Sequence, residues 1–157
     1  MWRVVTDTPK FEADDLTGEG SKITEGRWSE KGVRVVYASE TRALACMETV
    51  VHLNAGGLPL NRYLVAVSIP DAVWARGKRE SASSLPVGWD AEPAGRASII
   101  FGTTWLRSGS SALLIVPSVI VVEEFNILIN PRHPDSPVIA ATKIRKWLYD
   151  SRLTKGP

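Results

Sequence analysis

The sequence is short of the residues that build metal and thiol chemistry: one cysteine, Cys46, and two histidines, His52 and His133, among 157 residues. A single cysteine makes no internal disulfide, and no short-spaced ligand pair offers the three or four positions of a zinc site, so no metal is expected. Charge of one sign is lacking too. Nineteen Lys and Arg against seventeen Asp and Glu leave +2, and the basic residues are dispersed, which argues against direct nucleic-acid binding. No apolar run approaches the ~20 residues of a membrane span, and "MWRVVTDTPK" has no apolar signal core. The expectation is a cytoplasmic protein with no membrane partner and a reduced thiol.

Familiar nucleotide and hydrolase motifs are also missing. "GEGSK" at Gly18–Lys22 fails the P-loop spacing, "SGSSA" at Ser108–Ala112 is no nucleophile elbow, and no GxGxxG fingerprint occurs. What is present is ordinary for a soluble globule, 44% hydrophobic and 23% charged, with no repeat and no internal boundary. One domain over 1–157 follows.

Strands are predicted at Trp2–Val5, Val33–Ser39 and Arg62–Pro70, from β-branched and alternating apolar residues. "ETRALACMETVVHLNAGG" reads as a helix stopped by Gly56–Gly57, with Ala43, Met47, Val50 and Val51 as its buried arc and Glu48 and His52 at its edge. Residues 71–93 read as irregular surface, and Ala94–Gly109 as a helix ending at Gly109. "SALLIVPS", "VIVVEE" and "FNILINPRHP" read as strand material, and "VIAATKIRKWLYD" as a last strand or short helix. The order β-β-α-β-α-β-β-β predicts an α+β domain with helices on a mixed or antiparallel sheet.

Four polar residues stand where an apolar or solvated one is commoner. Arg27, between Gly26 and Trp28 in "GRWSEKG", is either a solvated loop arginine or a bidentate clamp for a phosphate. Tyr37 is either a core tyrosine with its hydroxyl at the rim or a ring that stacks on a flat ligand. Glu48 is a surface glutamate or a carboxylate at a pocket edge, as cleavage through an oxocarbenium-like state requires. Ser118, after Pro117 in an apolar run, either satisfies local backbone or donates to a ligand. His133 reads as a turn residue between prolines.

Together these residues and their neighbours resemble the RES domain family, named for an arginine, a glutamate and a serine. The likeness lies in "GRW…KG…YAS", "ALACMETVVHL" and "VPS…N.L.NPRHPD", and runs from about Gly18 to Asp135. One departure is Ser29–Glu30 where the family often has Asn-Pro after "GRW". The resemblance implies a fold similar to ADP-ribosyltransferases and a toxin of a bacterial toxin–antitoxin pair, neutralised by an Xre-type antitoxin. It implies NAD as substrate, cleaved at the nicotinamide–ribose bond so that cellular NAD is depleted, with ADP-ribosylation of a protein as an alternative, and leaves room for a homodimer within the assembly. It also implies an active-site set of Arg27, Tyr37, Glu48 and Ser118. Arg27, Glu48 and Ser118 are expected to be catalytic, and Arg27, Tyr37 and Ser118 to bind substrate. The alternative is a non-enzymatic nucleotide-binding or interaction module that tolerates loss of Glu48.

Overall fold

The computed structural model describes residues 1–52 and 59–154. Among them seven strands form one sheet: β1 (Trp2–Thr6), β2 (Val36–Ser39), β3 (Arg62–Ser68), β4 (Lys78–Arg79), β5 (Leu113–Pro117), β6 (Phe125–Ile129) and β7 (Ala140–Lys146). Their spatial order is β4-β5-β6-β2-β1-β3-β7. Only β4 and β5 run parallel, so the sheet is mixed and the domain α+β, as the element order predicts.

Alternation along each strand divides the core. Val36, Ala38, Val65, Val67, Leu113, Ile115, Ile127 and Ile129 face one layer. Val35, Leu114, Val116 and Leu128 face the other, against Trp28, Trp105 and Leu106. With both faces covered, β5 is buried at all five positions and reads in sequence as an unbroken apolar run.

Helix α1 (Arg42–Val50) begins two residues into the predicted stretch, where Thr41 caps it by accepting a hydrogen bond from the Leu44 amide at 3.0 Å. The predicted Gly56–Gly57 stop lies outside the described residues. The buried arc is not the expected one. Leu44 and Ala45 are buried, whereas Met47 is 37% and Val51 53% exposed. Residue 48 follows 44 by one turn, so Glu48 points inward rather than lying beside the packed arc. The cause is that α1 packs on β1 and β2 through Leu44 and Ala45, with Ala45 meeting Val4 and Leu64.

Three further expectations are corrected. The strand predicted from Val33 starts at Val36, although Val33, Val35 and Tyr37 do share one layer. Residues 71–93, read as irregular, contain α2 (Asp71–Ala75) and β4, which pairs with β5. "VIVVEE" is no strand: Ser118 accepts from the Ile120 and Val121 amides, and the chain reverses there between antiparallel β5 and β6. The tail resolves as β7, paired with β3. Helix α3 (Arg96–Ser108) ends at Gly109, in the left-handed conformation, where the spacing puts its end.

The "NPRHPD" run is a staple rather than a site. Asn130 is buried, donates to the Leu106 carbonyl at the end of α3, and accepts from the Arg132 amide. His133 Nδ1 accepts from the Asp135 amide, and Asp135 binds Arg76 just after α2.

The sheet is split between β1 and β2. β1 and β2 are neighbours yet pair at a single position, Trp2 with Ser39, while β1 and β3 pair along five. From Arg3 onward on β1, and from Ala38 back to Val36 on β2, the strands part. The backbone amide of Val35, just before β2, is met instead by the Ser21 hydroxyl at 2.9 Å. That insertion needs Gly18, whose φ is +71° and whose missing Cβ would press on the Val35 backbone. No helix among the described residues is long and apolar enough to cross a membrane.

Candidate active site

Where β1 and β2 diverge, a cleft of about 980 Å³ opens. That is ample for a nucleotide-sized ligand. Arg3, Arg27, Tyr37, Ser39, Glu48 and Asn126 supply polar side chains to its lining. Arg27, Tyr37 and Glu48, chosen on sequence grounds, therefore share one cleft although they come from a turn, a strand and a helix.

Arg27 sits in a tight turn closed by reciprocal bonds between the Gly26 and Ser29 backbones. Its guanidinium donates to the Trp89 carbonyl (3.3 Å), the Ala91 carbonyl (2.8 Å) and Glu92 Oε2 (2.8 Å). The next residue, Trp28, is buried and stacks on Trp89, with ring centroids 6.0 Å apart and Phe101 edge-on at 6.2 Å. The 89–92 segment is thus tied to the Arg27 turn by an aromatic stack and by charge-assisted bonds. The two carbonyls are fixed acceptors. Glu92 is 81% exposed, so its ion pair is screened and readily exchanged for another anion.

The departure at Ser29–Glu30 finds its own partners. Ser29 is fully buried and its hydroxyl bonds the Tyr37 hydroxyl at 3.1 Å. Glu30 pairs with Arg107, and its amide is met by Thr103 on α3. Burial raises the Tyr37 phenol above its usual value, partly offset by Ser29 and the Trp28 backbone. It stays a neutral ring on the cleft wall.

Glu48 is half-buried, and its Oε1 accepts from Ser118 Oγ at 3.0 Å and from Asn126 Nδ2 at 2.5 Å. Ser118 itself is completely buried and is not part of the cleft lining. Expected to meet the substrate directly, it stands behind Glu48 instead, because its hydroxyl closes the β5–β6 turn and spends its proton on the carboxylate. At Cys46, two residues earlier on α1, burial raises the thiol, against a smaller lowering by Trp147, which disfavours the thiolate.

Two cleft residues escaped the sequence reading. Asn126 lies in "FNILI", a polar residue inside an apolar strand, in register with Ser39. Arg3 lies in "WRVV", a cation in the middle of β1. Arg3 Nη1 donates to the Asp15 carbonyl at 3.1 Å, while its Nε is sealed from water among the described residues without an acceptor. Burial pulls its pKa down to about 10, opposed by the Asp15 charge, so it remains a cation at neutral pH. A half-buried cation in the lining favours a negatively charged ligand in the cleft.

The cleft thus carries two guanidiniums, a neutral phenol and a braced carboxylate. That set can hold a phosphate-bearing ligand and stabilise positive charge developing within it.

Comparison with known proteins agrees with the motifs. The RES domain family model matches residues 1–150. The chain is 62% identical over 155 residues to the "Prs ADP-ribosylating toxin" of Sphingobium sp. (strain YBL2), covering 99% of this chain and 96% of that one. It is 31% identical over 154 residues to a "Toxin Res" of Yersinia enterocolitica, covering 98% of each. To a "Toxin Res" of Pseudomonas putida it is 34% identical over 141 residues, covering 88% and 92%.

Proposed function

The chain belongs to the RES domain family, and from that premise we propose that it is a toxin that splits the nicotinamide–ribose bond of NAD and passes the ADP-ribosyl group to a protein. The observation that carries this reading is Glu48, braced on one oxygen and lining the same cleft as Arg3 and Arg27. The 62% identity to a protein named for ADP-ribosylating Prs supports a protein acceptor, of the Prs kind. The partner that restrains it is an Xre-type antitoxin, as the family resemblance implies.

The chemistry asks little proton transfer of the protein. The C1′–N bond breaks heterolytically, its electron pair leaves with neutral nicotinamide, and the ribose carbon becomes cationic. The acceptor adds its lone pair to that carbon and loses a proton. Glu48 holds a ribose hydroxyl and sets its negative charge beside the developing cation. Arg3 places its positive charge beside the pyrophosphate. Arg27 sits at the rim, where a substrate anion can replace Glu92, and keeps the 89–92 segment in place. Tyr37 packs flat against the nicotinamide–ribose end. Ser118 acts through Glu48.

Release to water or phosphate is the second reading, favoured by the partial exposure of Glu48, which small nucleophiles can reach. One experiment separates the readings: incubation with NAD labelled in its adenylate phosphate, with and without a Prs protein, with and without phosphate. Label on Prs supports transfer. NAD loss with free ADP-ribose or its 1-phosphate supports the second reading. No nicotinamide release under any condition overturns both.

Arg3 has its own expected result. Arg3→Met keeps the stem and removes the donors, so KM for NAD should rise about 10-fold or more, with a smaller change in kcat. An unchanged KM would remove Arg3 from the binding set.

A further inference from the structure

A glutamate carboxylate turns easily. Its terminal torsion is broad and nearly two-fold, so packing of the stem does not set the plane of the two oxygens. Something else must do so where a single oxygen has to meet a ligand. In this cleft both donors to Glu48 converge on Oε1, and among the described residues none reaches Oε2.

The two donors are constrained in different ways. The Ser118 hydroxyl accepts from two backbone amides, which turns its proton toward Glu48. The Asn126 amide is aligned from the opposite side. Ser39 and Asn126 are register partners on β2 and β6, and buried Ser39 donates to Asn126 Oδ1 at 2.8 Å. With its oxygen occupied, the amide presents Nδ2 to Glu48. A reversed amide would set its oxygen against the carboxylate, acceptor against acceptor.

We propose that Asn126, aligned by Ser39, is a positioning residue that fixes the Glu48 carboxylate plane and reserves Oε2 for the substrate ribose hydroxyl. The assignment rests on the reading of Glu48 given above. It predicts an effect on turnover rather than on affinity, since Asn126 acts on the charge that matters only as the cation forms.

The test measures NAD turnover in Asn126→Leu, Asn126→Asp, Ser39→Ala and Glu48→Gln against the unsubstituted protein. Asn126→Leu should lower kcat about 10–100-fold while KM for NAD changes little. Asn126→Asp should behave differently with pH. While protonated, the introduced carboxyl donates as the amide does; once ionised, it repels Glu48. Its kcat profile should therefore gain an alkaline fall that the unsubstituted protein lacks. Ser39→Ala, which frees the amide without removing it, should give a smaller kcat loss at the same KM; it decides the matter if the leucine variant does not fold. Full kcat in Asn126→Leu or in Ser39→Ala, or a superimposable pH profile in Asn126→Asp, overturns the assignment. If Glu48→Gln alone is inactive, only the role of Asn126 falls; if Glu48→Gln turns over normally, the reading beneath it falls.

Discussion

Glu48→Gln should leave a folded protein that consumes NAD about 100–1,000-fold more slowly. Glutamine keeps the shape of the side chain and an oxygen that can still accept from Ser118 and Asn126, so the bonds that hold it in place are retained. What disappears is the negative charge beside the ribose. The substitution isolates electrostatics from packing, and removing charge from a half-buried site should not lower Tm. Rapid-quench assay of nicotinamide release, read with a thermal melt, checks both halves. Turnover at the unsubstituted rate in a folded variant would remove Glu48 from the chemistry.

The second large effect lies on α3, away from the cleft. Gly102→Ala should destabilise the protein by about 2 kcal/mol, lowering Tm by about 4–8 °C. Helix propensity alone predicts the opposite sign, since alanine is favoured over glycine by ~1 kcal/mol inside a helix. The contact decides. A Cβ on Gly102 would overlap the Trp28 carbonyl oxygen and press on the Trp28 Cβ. Relief requires shifting the Trp28 backbone, which carries Arg27 on one side and Ser29, the partner of Tyr37, on the other. Activity should therefore fall at temperatures well below the melt. A variant as stable and active as the unsubstituted protein would mean that the α3–Trp28 approach is looser than described.

Much of the fold is legible in the sequence, for reasons that differ by element. The alternation through Val33, Val35 and Tyr37 reports a shared face whether or not the ladder reaches all three, so the Tyr37 side was legible while the strand start was not. Gly109 and its left-handed backbone made the end of α3 plain. The rotation of α1 differs from the periodic reading because its inward face is Leu44 and Ala45, while Ala43, Met47 and, just past its end, Val51 face outward. Apolar residues lie on more than one side of α1, so periodicity alone does not choose between the arcs. That ambiguity placed Glu48 at an edge, and only packing against β1 and β2 shows it aimed inward. "VIVVEE" misled for a related reason: β propensity is no guide where a proline and a hydroxyl together reverse the chain. Arg3 carried a signal, a cation amid β-branched residues, but one residue in a short strand has no periodicity to interpret.

The lone rung between β1 and β2 has a bearing on how this molecule responds to whatever it holds. It leaves the sheet as two panels, β4-β5-β6-β2 and β1-β3-β7, with Arg3 on one and Tyr37, Ser39 and Asn126 on the other. A ligand touching both panels becomes the missing cross-tie, and its binding free energy adds to the cohesion of the native state by mass action. Occupancy of the gap and resistance to unfolding are then one quantity seen from two sides.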